Sequence, residues 1–184
     1  MEIFNQKIIP AIRTVRELEK IFDTNYEYAV FLDLHIAQVK NVITIAKQNG
    51  KKMLLHVDMI HGLKHDEYAT EFLIQEIKPD GLISTRSNVI KKAKQKNVLS
   101  IQRLFLLDQS ALDKSIQLIQ KTEPDYIEVL PGIIPPLIKE VKEITGKPVL
   151  AGGFIRTYSD VERALEAGAS GITTSNQELW KKYE

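Results

Sequence analysis

Cysteine is absent from this 184-residue chain, which excludes disulfides, thiolate metal ligands and a cysteine nucleophile. Long apolar runs are missing too, and none approaches the ~20 residues that a membrane span requires. The opening MEIFNQKIIPAIR has no apolar stretch of the kind that marks a secretory leader, so a cytoplasmic protein without a membrane partner is expected. Neither charge sign dominates. Lys and Arg number 25 against 24 Asp and Glu, for a formal net charge of +1. No global field therefore draws the chain to nucleic acid or to an acidic membrane, and a pure nucleic-acid-binding module usually carries a basic balance. No linker rich in Ser, Gly or Pro and no low-complexity tract interrupts the sequence.

What is present is ordinary in amount and regular in arrangement. A hydrophobic fraction of 43% and a charged fraction of 27% fit a globular protein with one core, expected as a single domain over 1–184. Short apolar runs at 8–12, 28–34, 53–57, 81–85, 98–103, 126–130, 148–151 and 171–174 alternate with longer helical patterns. The strands read as apolar runs more than as clean alternation, as expected when both faces of a strand are covered. In the second helix Ile36, Val39, Val42, Ile43 and Ala46 form one apolar stripe. Thr14 with Glu17, Ser159 with Glu162 and Ser175 with Glu178 fit capping boxes, and Ser110 with Asp113 is a weaker relative. Pro135 and Pro136 suit a helix's first turn, and Gly50, Gly146 and Gly168 suit positions just past a helix end.

Strict β-α alternation predicts right-handed crossovers and a parallel sheet. Eight units make a small TIM-like (β/α)8 barrel of the α/β class the leading topology, with a doubly wound open sheet as the alternative. The chain allows about 23 residues per unit where a typical barrel has roughly 250 in all, so short helices, or one degenerate unit, are expected.

Barrels often bind phosphate between the loops after strands seven and eight. Here those loops contain Gly152, Gly153 and Arg156, and Thr174, Ser175 and Asn176. Small residues let backbone amides approach an anion, and a helix start presents unpaired N–H groups. The plainer alternative makes Gly152–Gly153 a tight turn, Ser175 a cap and Arg156 a solvated charge. At the strand ends stand Arg13, Asp33, His35, His56, Asp58, Thr85, Arg86, Gln102, Arg103 and Glu128. They support a polar ligand pocket, with Arg13, Asp33, His56, Asp58, Arg103 and Glu128 facing the hydroxyls of a ligand. They also leave open a divalent-metal or acid–base site, or histidines that merely complete a core. No zinc-enzyme spacing is found, and no lysine falls at a strand end to form a Schiff base; neither a catalytic residue nor a metal ligand is assigned. The 58–66 connection is the longest, either a lid or an ordinary loop. Helix four carries Lys91, Lys92, Lys94 and Lys96, either a solvated face or a set of RNA phosphate contacts.

Several stretches together resemble the glycerol uptake operon antiterminator family, the glycerol-3-phosphate-responsive regulators of bacteria. They are IPAIR at 9–13, HVD at 56–58, GLKHDEY at 62–68, IKPDGLISTRSNVIKKAKQ at 77–95, IQR at 101–103, PDYIEVLPG at 124–132, AGGFIRT at 151–157 and TTSNQELW at 173–180. They extend over essentially the whole chain and show no departure from the family pattern. The resemblance implies a TIM-like barrel, glycerol 3-phosphate as effector with no cofactor, and an mRNA leader as partner, whose terminator the liganded protein lets transcription pass. It marks no RNA-contacting residues. The competing expectations are a barrel enzyme acting on a phosphorylated triose or glycerophosphodiester, and a metabolite-sensing barrel whose partner is another protein; a homo-oligomer is compatible with each.

Overall fold

The computed structural model describes residues 4–184, so the first three residues of the segment read for a leader lie outside it. Eight parallel strands close a barrel: β1 (Ile8–Ile12), β2 (Tyr28–Phe31), β4 (Lys52–His56), β6 (Gly81–Ser84), β7 (Leu99–Phe105), β8 (Tyr126–Leu130), β9 (Val149–Gly152) and β10 (Gly171–Thr174). Closure is made by β1 against β10, with Ile8 opposite Ile172 and Pro10 opposite Thr174, which removes the open-sheet alternative. Two further strands of two residues, β3 (Leu34–His35) and β5 (Ile60–His61), pair with each other above β2 and β4.

The helices are α1 (Val15–Glu19), α2 (Ile36–Gln48), α3 (Glu67–Phe72), α4 (Ser87–Gln95), α5 (Gln109–Thr122), α6 (Pro135–Thr145), α7 (Tyr158–Glu166) and α8 (Gln177–Tyr183). The small chain is accommodated by shortening rather than by losing a unit. Helix α1 has five residues and α3 has six, the latter running into a π-helical turn at Leu73–Ile77.

Alternate strand residues separate two cores, following the period of two along each strand. Ile9, Val30, Leu54, Ile83, Ile101, Tyr126 and Leu150 fill the barrel. Phe4 meets Tyr28 and Tyr126 edge to face at 4.9 and 4.8 Å, which seals the interior with rings at the end where the strands begin. The intervening residues, among them Phe31, Met53, Leu82, Ile127, Val149 and Ile172, pack outward against the helices. The second helix buries Val39, Val42, Ile43 and Ala46 as the stripe predicts, and Ile36 packs partly buried beside them.

Several helix starts differ from expectation. Thr157 caps α7 in a reciprocal box with Asp160, Asn176 caps α8 through Glu178, and Asp108 caps α5 through Ala111. Each replaces the pair read from Ser159, Ser175 or Ser110. In each case the chain offers several short polar residues in succession, and the one standing where the backbone turns into helix does the capping. Thr14 does cap α1, but the Glu17 carboxylate bonds the Arg13 amide instead of closing the box on Thr14.

Candidate functional site at the C-terminal mouth of the barrel

The bottom of the barrel is apolar and the top is more polar, because several inward registers end on a polar residue. Along β7 the inward series Leu99, Ile101 ends on Arg103, and along β8 Tyr126 is followed by Glu128. On β10 Gly171 is followed by Thr173, whose hydroxyl donates to Glu128 Oε1 at 2.6 Å. Gly152 on β9 makes that contact possible: a Cβ there falls inside the van der Waals distance of Thr173 Oγ1 and 3.1 Å from Glu128 Oε1. The glycine read as a phosphate cradle is thus buried and makes room for a carboxylate. Neighbouring Gly153 does form a turn, at φ +79°.

Above this layer opens a cavity of about 350 Å³, lined from β1 and β2 by Arg13 and Leu32, from β7 and β8 by Arg103, Glu128 and Leu130, and by residues 153–156 and 173–176. That volume is at the small end of ligand pockets, which run about 300–1,000 Å³. Three arginines against one carboxylate line it, so it favours an anion. Among the described residues the backbone N–H groups of Phe154 and Ser175, which lie outside the strands and helices, have no hydrogen-bond partner. Unpaired amides converging on a cationic hollow are what an anionic oxygen requires. The start of α8 contributes less than expected: Asn176 gives its own N–H to Thr174 Oγ1, and its side chain caps the helix and holds the Arg156 carbonyl.

The cavity floor carries incompletely bonded groups. Arg103 Nε is 3.5 Å from Glu128 Oε2, an ion pair without a hydrogen bond, and both atoms are buried without a hydrogen-bond partner. His56, expected to face a ligand, lies outside the cavity lining; it is only 4% exposed and leaves both ring nitrogens unpartnered. Burial, reinforced by the Arg103 charge, holds its pKa below the usual imidazole value, against the weaker pull of Glu128 and Asp58, so the ring is neutral at pH 7. Buried polar atoms left unpaired are costly and mark places where a ligand or ordered water belongs.

The two remaining acidic candidates do not line this cavity. Asp33 sits at φ +57°, where β2 ends earlier than the run 28–34 implied, and its carboxylate pairs with His61 at 2.5 Å across the β3–β5 sheet. Asp58 staples two loops together. It accepts from the Ser84 hydroxyl and, at 2.7 Å, from both the amide and the hydroxyl of Thr85. Burial alone raises its pKa, but these bonds outweigh it and hold the carboxylate below its usual range. His35 caps α2, and Gln102 donates to the carbonyls of Ser84 and Thr85.

The basic face of α4 is largely neutralised. Lys92 lies 3.7 Å from both Glu67 and Glu71, Lys94 pairs with Asp125 at 2.5 Å and Lys96 with Glu71 at 2.7 Å. Lys91 is exposed and makes no ion pair among the described residues. No group of three or more His, Asp or Glu side chains gathers as metal ligands among the described residues, and no lysine lines the cavity.

A sequence model of the glycerol-3-phosphate responsive antiterminator family matches residues 8–180. The chain belongs to that family. Among solved structures, this antiterminator-family chain is similar to a glycerol uptake operon antiterminator regulatory protein from Listeria monocytogenes, with 48% identity, 98% of each chain covered and a TM-score of 0.95. A glycerol uptake operon antiterminator-related protein from Thermotoga maritima shares 28% identity over 96% of this chain and 98% of its own, with a TM-score of 0.85. An aldolase designated QR15 superposes with a TM-score of 0.75 over 99% of this chain and 98% of its own; at 16% identity that likeness shows the barrel alone.

Sequence reasoning missed Thr173, the donor to Glu128, and Phe154, which lines the mouth. The inward alternation from Gly171 to Thr173 was a signal for the first. For the second there was none, since a phenylalanine in the left-handed region is not foreseeable from its type.

Proposed function

We propose that this family member binds glycerol 3-phosphate at the barrel mouth and, in that state, binds the leader of an mRNA for glycerol uptake or catabolism in the cytoplasm, allowing transcription to pass a terminator. The observation that carries the first half is the meeting of unpaired amides and arginines in one small cavity above a buried, incompletely bonded Arg103–Glu128 pair. The phosphate docks against the amides of Phe154 and Ser175, with Gly153, Thr174 and Asn176 shaping that wall and Arg156 and Arg13 supplying charge. The hydroxyls turn to the floor, where Glu128 Oε2 accepts and Arg103 Nε donates. Arg103 and Glu128 at the floor and the amides and arginines of the wall together read both ends of a short polyol phosphate, with His56 buried and neutral outside the lining.

The RNA half is supported by family membership. Coupling requires that the metabolite bind the RNA-competent state more tightly than the other, by at least the factor by which RNA affinity rises. Filter binding of leader RNA with and without glycerol 3-phosphate, over a range of salt, tests it. The expected result is tighter retention with the metabolite; equal retention with and without it contradicts the regulatory reading.

A further inference from the structure

Three consecutive loops surround the mouth, after β7, β8 and β9, and they are tied edge to edge: the Leu106 amide donates to the Leu130 carbonyl, and the Gly132 amide to Gly152 at 2.6 Å. On this joined rim stand exposed apolar side chains. Phe105 is 52% exposed, Leu107 85%, Ile134 38% and Phe154 65%. Such clustering is unusual for an unpartnered surface. Both rings carry a cation: the Arg103 guanidinium lies 5.3 Å from the Phe105 centroid and Arg156 lies 5.7 Å from that of Phe154. Phe154 is held at φ +61°, a strained conformation for a bulky residue that persists where it serves a purpose. Burial of its own ring does not offset that strain.

We propose that this rim is where a single-stranded stretch of RNA docks, over the metabolite-binding cavity, a surface that rests on the reading of the chain as an RNA-binding antiterminator. Bases stack on Phe105 and Phe154, and Leu107 and Ile134 cover their edges. Stacked aromatic platforms flanked by arginine are how proteins hold unpaired nucleotides. The acids of this face are already engaged: Asp108 caps α5, and Asp160 is held by the Thr157 and Arg156 amides and by Arg163. The α4 lysines, by contrast, are mostly paired with carboxylates. A ligand that orders the 153–156 turn from below thereby sets the position of a stacking ring above, so one loop reports metabolite to RNA.

The test is leader-RNA filter binding in saturating glycerol 3-phosphate for the wild type, Phe105→Ala and Leu107→Ser, with calorimetric titration of the metabolite into each. Neither residue lines the cavity. Support is a loss of RNA affinity of roughly 5- to 150-fold for Phe105→Ala, the equivalent of one base stack, and a smaller loss for Leu107→Ser, with metabolite affinity unchanged in Leu107→Ser. Wild-type RNA affinity in both variants overturns the rim assignment while leaving the proposed function standing. Failure of the wild type to bind RNA even at low salt overturns both. A dimer seen by light scattering and lost in Leu107→Ser then assigns the rim to a second copy of this chain.

Discussion

Replacing Gly152 with alanine tests whether the barrel top is assembled around Glu128. The added Cβ falls within contact distance of Thr173 Oγ1 and 3.1 Å from Glu128 Oε1, inside a fully buried wall. Gly152 has no positive φ, so backbone strain does not contribute and the effect is steric. Two relaxations are available. If Thr173 stays, the site is overpacked, at about 1–3 kcal/mol. If Thr173 rotates away, Glu128 loses a 2.6 Å donor, and a lost hydrogen bond to a buried charged group costs about 1.5–3 kcal/mol. Both routes converge on about 2 kcal/mol, which for a protein of this size lowers Tm by about 4–8 °C. Differential scanning calorimetry measures the shift, and titration of glycerol 3-phosphate should show weakened binding because the Glu128 acceptor has moved. A variant with wild-type Tm and wild-type affinity refutes the view that Gly152 exists to make this room.

Other outcomes follow from the same structure. Asp58→Ala strands the Ser84 hydroxyl and the Thr85 amide, so it should destabilise by about 2–3 kcal/mol in urea denaturation while the folded variant keeps its glycerol 3-phosphate affinity; lost affinity at full stability contradicts the staple role. Asp160 is held at a pKa of about 2 by hydrogen bonds from Thr157, the Arg156 amide and Arg163, which outweigh the opposing effect of burial. Because its folded pKa is depressed, its contribution is complete above the unfolded value of about 3.9 and disappears as pH falls through about 2. The Tm difference between wild type and Asp160→Asn should therefore shrink over that window. Replacing Lys92, Lys94 and Lys96 with alanine should leave the salt dependence of leader-RNA binding unchanged, since their charges are already matched; a shallower slope places RNA on α4.

How far the fold was legible follows from what each element depends on. The eight strands were readable because most are short local runs of apolar residues buried on both faces, as at Ile8–Ile12 and Tyr126–Leu130. Proline at the start of α6 and glycine after it were equally local signals. The β3–β5 pair was not readable. Two residues carry no periodicity, and the pairing joins segments 26 positions apart, Leu34 with Ile60. Its formation turns Asp33 towards His61, away from the cavity. The same distinction divides the candidate site. Arg103 and Glu128 could be projected inward by counting along single strands, whereas the engagement of Asp58 by Ser84 and Thr85, or of the α4 lysines by Glu71 and Asp125, depends on which side chains neighbouring units bring alongside. Sequence spacing within one unit does not carry that information.

Isothermal titration of glycerol 3-phosphate, with free glycerol and inorganic phosphate as separate titrants, examines the mouth most directly. Saturable binding of the phosphate ester is expected, with far weaker heats from either half alone, and Arg103→Lys should weaken it about 10-fold by losing the planar guanidinium while keeping charge beside Glu128. No saturable heat with glycerol 3-phosphate, or an affinity identical in Arg103→Lys, would contradict the account.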